Sequence, residues 1–304
     1  MNLMKKKIVN YLDKLHSLEG KKIIITGANS GVGFSIAKEC LYKGCKSLVL
    51  ACRNETRANN AKNQLAKDYP DSKIDIILYN QENLESDKSF VDDIFKYHSD
   101  FDYLVLNAGV FNAKKGKQNE YGFPVVSGVN AFGLLAILKQ LEIYLPNIDK
   151  ETRIVIQGSL GIHFARYKNI EKSLLNPNKN HFYQYFNSKI ADANLFHFYS
   201  INNQNPHVKF LMCEPGIAAS NIIRNYPKWF IPIANGFIKT VFQTSDMGAL
   251  SCMYLLTNYV SNGEYYRPSR IFGYKGYPKK AYLNKKIIKS NMIDEMTNCL
   301  KNIF

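Results

Sequence analysis

Tyr185 and Lys189 stand four residues apart in Tyr185-Phe186-Asn187-Ser188-Lys189. On a helix that spacing puts both side chains on one face, where a phenol and an ammonium meet the same ligand. A phenol with a pKa of about 10 is a poor base at neutral pH, and a cation beside it favours the phenolate. Such a Tyr gives a proton to a carbonyl oxygen or takes one from an alcohol. Tyr183 has no Lys at its fourth position. By itself Tyr-x-x-x-Lys arises by chance in a chain with 20 tyrosines and 33 lysines, so position has to carry the argument. The position is favourable. The motif follows the apolar run Ile154-Val155-Ile156, which ends in Gln157-Gly158-Ser159. A serine at the carboxyl end of a parallel strand lies where open α/β sheets bind ligands, and its hydroxyl can donate to an oxygen that is gaining negative charge.

A second group of residues suits an anionic cofactor. Thr26-Gly27-Ala28-Asn29-Ser30-Gly31-Val32-Gly33 joins the apolar run Ile23–Ile25 to a helical pattern. Glycines let the backbone turn tightly and approach a pyrophosphate, and the helix that begins there offers N–H groups and a positive dipole end. The next strand ends in Ala51-Cys52-Arg53-Asn54, with no acid before Glu55. An acid at that point bonds the ribose 2′-hydroxyl of NAD, whereas an Arg suits the 2′-phosphate of NADP. The residues therefore favour NADP(H) over NAD(H), with Arg53 on the phosphate.

These residues need a frame. Strands are expected at Ile23–Ile25, Leu48–Leu50, Ile74–Tyr79, Tyr103–Leu106, Arg153–Ile156 and Val208–Met212. Helical patterns lie between them, ending near Lys43 and over about 54–69, 84–97, 125–145 and 181–202. Nearly continuous apolar strands alternating with helices predict a Rossmann-type α/β fold, a doubly wound parallel sheet with helices on both faces. Residues 21–304 read as a single catalytic domain and residues 1–20 as an amphipathic extension. The extension carries Lys5-Lys6-Lys7, then Ile8, Leu12 and Leu15 at helical spacing. The apolar stretch 217–242, with Trp229, Phe230 and Phe237, is expected to be a lid over the substrate.

The loop has the form T-G-x-x-x-G-x-G, and with Y-x-x-S-K it resembles that of the short-chain dehydrogenase/reductase family. "A-C-R-N" is similar to the retinol-dehydrogenase and WW-domain-oxidoreductase branch. The resemblance implies further roles. Gly27, Asn29, Ser30, Gly31, Val32 and Gly33 would hold the dinucleotide. Asn80 would stand where the family has an adenine-binding Asp. Asn107, Ala108 and Gly109 would match the N-A-G turn beside the adenine ribose, and Pro215 and Gly216 the turn beside the nicotinamide. Lys189 and Tyr185 would touch the nicotinamide ribose. Asn130 would hold a water that links to Lys189, completing a proton relay with Ser159 and Tyr185. Gly158 replaces the first of two serines often found there. The long interval between Ser159 and Tyr185, with His163, Phe164, Tyr167 and Phe182, would line one wall of the substrate site.

Composition bounds the alternatives. The net charge of +15 comes from 33 Lys and only 7 Arg, scattered along the chain. Lys lacks the planar fork that reads base edges, so a nucleic-acid partner is not expected. Cys40, Cys45, Cys52, Cys213, Cys252 and Cys299 form no C-x-x-C pair and no metal spacing, which predicts reduced thiols, no metal and a cytoplasmic protein. No apolar stretch reads as a membrane span. A homo-oligomer and a membrane-surface contact stay open. The function expected is hydride transfer between NADP(H) and a small apolar carbonyl or alcohol. The alternative is a catalytically idle dinucleotide sensor, which would need no proton relay.

Overall fold

Branched and aliphatic runs form strands because their side chains pack on both pleated faces. In the computed structural model, which describes residues 3–111, 114–218, 243–270 and 273–301, the six expected strands are present. They are β1 Lys22–Thr26, β2 Ser47–Cys52, β3 Lys73–Leu78, β4 Tyr103–Leu106, β5 Thr152–Gln157 and β6 Val208–Cys213. Two more, β7 Tyr265–Pro268 and β8 Pro278–Ala281, extend the far edge. The order is β3-β2-β1-β4-β5-β6-β7-β8. All pairs are parallel except β7 with β8, which is antiparallel. The fold is thus a Rossmann-type doubly wound sheet with one reversed edge strand. Strands this short and partly polar carry too weak an apolar pattern to be seen in sequence.

Alternation along each strand divides the core. Ile23, Ile25, Leu48 and Leu50 face one layer, with Val155, Leu211 and Cys213. Against it pack α2 Gly31–Tyr42, α3 Glu55–Asp68 and α8 Ser245–Thr257. Ile24, Val49, Leu104, Ile154, Phe210 and Met212 face the other layer. That side holds α4 Leu84–Tyr97, α6 Leu134–Tyr144, α7 His181–Asn202 and α9 Met292–Lys301. Four helices start on side-chain caps: Asn54, Asn83, Asn180 and Thr244 each accept a backbone N–H from the first turn. Each such cap stabilises its helix by about 1 kcal/mol.

Helix α1, Leu3–Leu12, lies against the first layer. Ile8, Leu12 and Leu15 are buried, Tyr11 stacks on Tyr277, and Lys43 donates to the carbonyls of Leu12 and Leu15 at 3.0 and 2.8 Å. The apolar stripe of the extension is therefore spent on the body of the protein.

The expected helix over 125–145 is not uniform. A short turn, α5 Val125–Ser127, passes into a π-helical stretch, Gly128–Gly133, before α6 begins. Residues 125–147 are long and apolar enough to cross a membrane, but 78% of the apolar window is buried inside the protein. It is the central core helix of its layer. The π turn admits an extra residue and changes the direction of the side chains it carries, Asn130 among them.

Asp87 of α4 sits against this turn, within 3.0 Å of where a Cβ on Gly133 would lie. It is fully buried, and neither carboxyl oxygen has a hydrogen-bond partner. Burial pushes its pKa well above the ordinary carboxylate range. The group stays protonated in the fold and ionises in the unfolded chain. It therefore supports the fold fully at low pH, and that support is lost as pH rises towards the raised folded value. Asp87→Asn should raise the thermal midpoint relative to wild type by about 2 °C more at alkaline than at acid pH, measured by melts across that range.

Candidate active site

The loop after β1 is built for close approach to a ligand. Gly27 and Gly31 have φ of +66° and +59°, a left-handed backbone that side chains with a Cβ rarely adopt. A Cβ on Gly33 would lie 2.5 Å from both the Gly27 carbonyl and Asn107 Nδ2. The ends of β1 and β4 are also tied together. Thr26 Oγ1 accepts the N–H groups of Asn107 and Ala108 at 2.9 Å, and Asn107 Nδ2 donates to the Thr26 carbonyl at 2.9 Å. Asn29, Ser30 and Val32 line the loop, half-exposed, at the N-terminus of α2. A cradle that a single methyl would fill, at a helix N-terminus and at the point where strand order reverses, fits a dinucleotide pyrophosphate.

Arg53 follows β2, and its guanidinium pairs with Glu82 at 3.0 Å while remaining 60% exposed. With more than half of the side chain exposed, an anion has access to the guanidinium. Asn80 follows β3. Its Oδ1 accepts the Glu82 N–H at 3.2 Å and its N–H donates to Ser86, so it shapes this turn.

The proton-transfer candidates converge. Ser159 follows β5 and caps a short turn by accepting the Gly161 N–H at 3.0 Å. Tyr185, on the first half of α7, donates to Ser159 Oγ at 3.2 Å. Lys189 lies one turn further along α7, with Nζ 5.8 Å from the Tyr185 ring centre. Its ammonium donates to the Gln157 carbonyl at 3.3 Å and to Asp192 at 2.6 Å. Burial acts to lower the Lys189 pKa, but Asp192, Tyr185 and Glu214 outweigh it and raise the value, so the ammonium is held charged.

Both Nδ2 hydrogens of Asn130 are taken by protein atoms, and its Oδ1 accepts one bond there. Its Oδ1 accepts the Val110 N–H at 2.8 Å. Its Nδ2 donates to the Val110 carbonyl at 2.8 Å and to Ser188 Oγ at 3.0 Å. Ser188 in turn donates to the Tyr185 carbonyl at 2.8 Å. The side chain thus staples the loop after Gly109 to the helix that carries Tyr185 and Lys189.

Aromatic rings surround the phenol. Phe111 meets Tyr185 edge-on with centroids 4.8 Å apart, and Phe182, Phe186 and Phe164 continue the wall. Phe164 and Phe182 are 59% and 43% exposed, an apolar rim. Tyr167 leaves the wall: its hydroxyl donates to Glu295 of α9 at 3.0 Å. His163 accepts from Arg267 of β7 at 2.8 Å, since a guanidinium has only donors to offer. Pro215 and Gly216 form the turn after β6, where Gly216 has φ +64° and Gln243 Nε2 donates to the Pro215 carbonyl. Ala218 and Gln243 are bridged, closing the base of the stretch expected to be a lid; within 217–242, residues 219–242 lie outside the described residues.

Sequence reading missed Phe111, Asp192 and Glu214. Asp192 was visible in principle as the acid three residues beyond Lys189 on the same helix face. Phe111 and Glu214 have no spacing signal, because turns after different strands bring them in.

A family profile described as short chain dehydrogenase matches residues 21–168. The chain is 26% identical over 306 residues to the WW domain-containing oxidoreductase of Drosophila melanogaster, covering 94% of this chain and 72% of that protein. It is 29% identical to retinol dehydrogenase 14 of Mus musculus, over 78% and 74% of the two chains. Pseudomonas aeruginosa RhlG, solved in an active-site complex with NADP, shares the fold at TM-score 0.63 and 18% identity, over 82% of this chain and 95% of that one.

Asn130→Ala should lower stability by about 1–3 kcal/mol, because it strands the Val110 N–H and carbonyl in a partly buried loop. Denaturant unfolding would measure this.

Proposed function

The chain belongs to the short-chain dehydrogenase/reductase family and is an oxidoreductase acting on CH–OH or C=O groups, and from that premise we propose that it transfers hydride between NADP(H) and the carbonyl or alcohol carbon of an apolar substrate. The observation that carries the reading is the Tyr185–Ser159 contact at 3.2 Å, with Lys189 on the same face of α7.

The glycine loop 27–33, the 107–109 turn and the Pro215–Gly216 turn would hold the dinucleotide, and the nicotinamide supplies or accepts the hydride. In reduction, Ser159 donates to the substrate oxygen as charge gathers there, and Tyr185 gives that oxygen its proton. In oxidation the same phenol takes the proton away. Lys189 spends hydrogens on Asp192 and on the Gln157 carbonyl, and its remaining one serves the ribose. Asn130 would keep the loop after Gly109 in register with α7, and the second lone pair of its Oδ1, on the same side of Gly109 as the Lys189 ammonium, would be left for the relay water.

The substrate class follows from the wall. Phe111, Phe182, Phe186 and Phe164 border the phenol, so the group beside the reacting carbon is apolar, aromatic or long-chain. Arg53 supports NADP(H), with the Glu82 pair sharing or yielding the guanidinium when the 2′-phosphate arrives. All six cysteines are free, in keeping with a reducing, cytoplasmic setting.

Tyr185→Phe should reduce turnover of hydrophobic aldehydes or ketones by about 100-fold or more while NADPH binding, followed by fluorescence, stays within about twofold. Turnover at the wild-type rate would overturn the role of Tyr185. Arg53→Ala should weaken NADPH by about 10-fold or more and leave NADH nearly unchanged, which removal of one charge-assisted phosphate contact predicts. Equal losses in calorimetric titrations would remove the 2′-phosphate role.

A further inference from the structure

We propose that Glu214 is a positioning residue for Lys189: a buried carboxyl that gains or loses its proton with pH and, together with Asp192, sets the charge around the ammonium and thereby the pH at which the proton-transfer site works. This rests on the oxidoreductase reading above and adds a residue to it.

The geometry is that of one shared face. Phe210 and Met212 of β6 point to the layer containing α7, and Glu214, two residues on, keeps their parity. It is fully buried; its carboxyl oxygens and the Tyr265 hydroxyl all lack a partner of standard hydrogen-bond geometry, and they face one another. Gly158 packs alongside it. A Cβ there would collide with Met212 Cε and lie 3.6 Å from Glu214 Cγ. Gly158 sits between Gln157, whose carbonyl takes the Lys189 ammonium, and Ser159, which takes the Tyr185 hydroxyl. Glu214 therefore lies next to the strand end that receives Tyr185 and Lys189, and it is shielded from solvent.

Among the described residues, the titratable and charged groups facing it are Lys189 of α7, Tyr265 and Arg267 of β7 and the adjoining Cys213; Asp192 and Tyr185 lie beside Lys189, and Arg267 contacts His163 of the turn after β5. Burial pushes the Glu214 carboxyl up to about 7, against the pull of Tyr265, Arg267 and Lys189. Burial also lifts Asp192, to about 6, and the Lys189 ammonium at 2.6 Å restrains that rise. Asp192, paired with Lys189, ionises at lower pH than Glu214, so Glu214 is the carboxyl of this cluster that changes charge nearest neutral pH. Ionised Glu214 adds a negative charge on the same face as the Tyr185 phenol, which opposes the growth of phenolate during alcohol oxidation. Protonated Glu214 leaves the Lys189–Asp192 pair alone.

The test uses the full chain. Infrared titration of the wild type should show a protonated carboxyl band that disappears near neutral pH, and Glu214→Gln should lack it. In the same variant the rise of alcohol oxidation with pH should move down by about half a unit or more, because the opposing charge is gone. Tyr265→Phe removes a group that favours ionised Glu214, so the band should persist to higher pH and, with the carboxyl neutral over more of the range, the oxidation inflection should move down, as in Glu214→Gln. An infrared titration identical in wild type and Glu214→Gln overturns the proposal, as does a pH profile unmoved by either variant. If the wild type turns over no carbonyl or alcohol, the oxidoreductase reading fails instead. The infrared titration, with the pH dependence of NADPH affinity in place of turnover, then decides Glu214: an affinity profile the same in wild type and Glu214→Gln overturns it.

Discussion

One amide side chain joins the two halves of this protein's site. Asn130 holds both backbone groups of Val110 and the hydroxyl of Ser188. Val110 follows the turn that β4 shares with the glycine loop, and Ser188 lies between Tyr185 and Lys189. The loop after β4 and the helix that carries Tyr185 and Lys189 are therefore fixed relative to each other through a few short bonds. A helix interior would ordinarily aim a side chain at its own turn or a neighbouring helix. The π stretch Gly128–Gly133 re-aims Asn130 so that it reaches a loop and another helix at once.

The second organising element is charge in a dry place. Lys189 is buried, and an isolated ammonium there would be costly. Asp192 makes it tolerable, and the pair leaves nearly no net charge beneath the phenol. The sequence expectation of a lone cation acting on Tyr185 is thereby modified: the field at the ring belongs to a cluster. Glu214, Tyr265 and Arg267 extend that cluster across two further strands.

The frame was readable because it rests on repetition. Six apolar runs, each followed by a helical pattern, leave few arrangements other than a doubly wound sheet. The reversed edge was not readable, since Tyr265–Pro268 and Pro278–Ala281 are short and rich in proline, tyrosine and lysine. They are held as strands by neighbours rather than by pattern. Likewise residues 125–147 look like a simple apolar helix in sequence, while the π turn and its burial come from packing against α4 and α7. Tyr167 looked like a wall residue by its place in the chain, but α9 claims it.

What the sequence determined alone were the local conjunctions: glycines where a strand meets a helix, a phenol and an ammonium one turn apart, and a serine at a strand end. Each is set by spacing over a few residues, and spacing survives folding. Only the tertiary structure decided which distant groups share that space. Phe111 and Asn130 come to the helix of Tyr185 and Lys189 from the crossover between β4 and β5, and Glu214 from the end of β6, and their directions depend on strand parity and on a helix irregularity. Those are properties of packed layers, and no short window of sequence contains them.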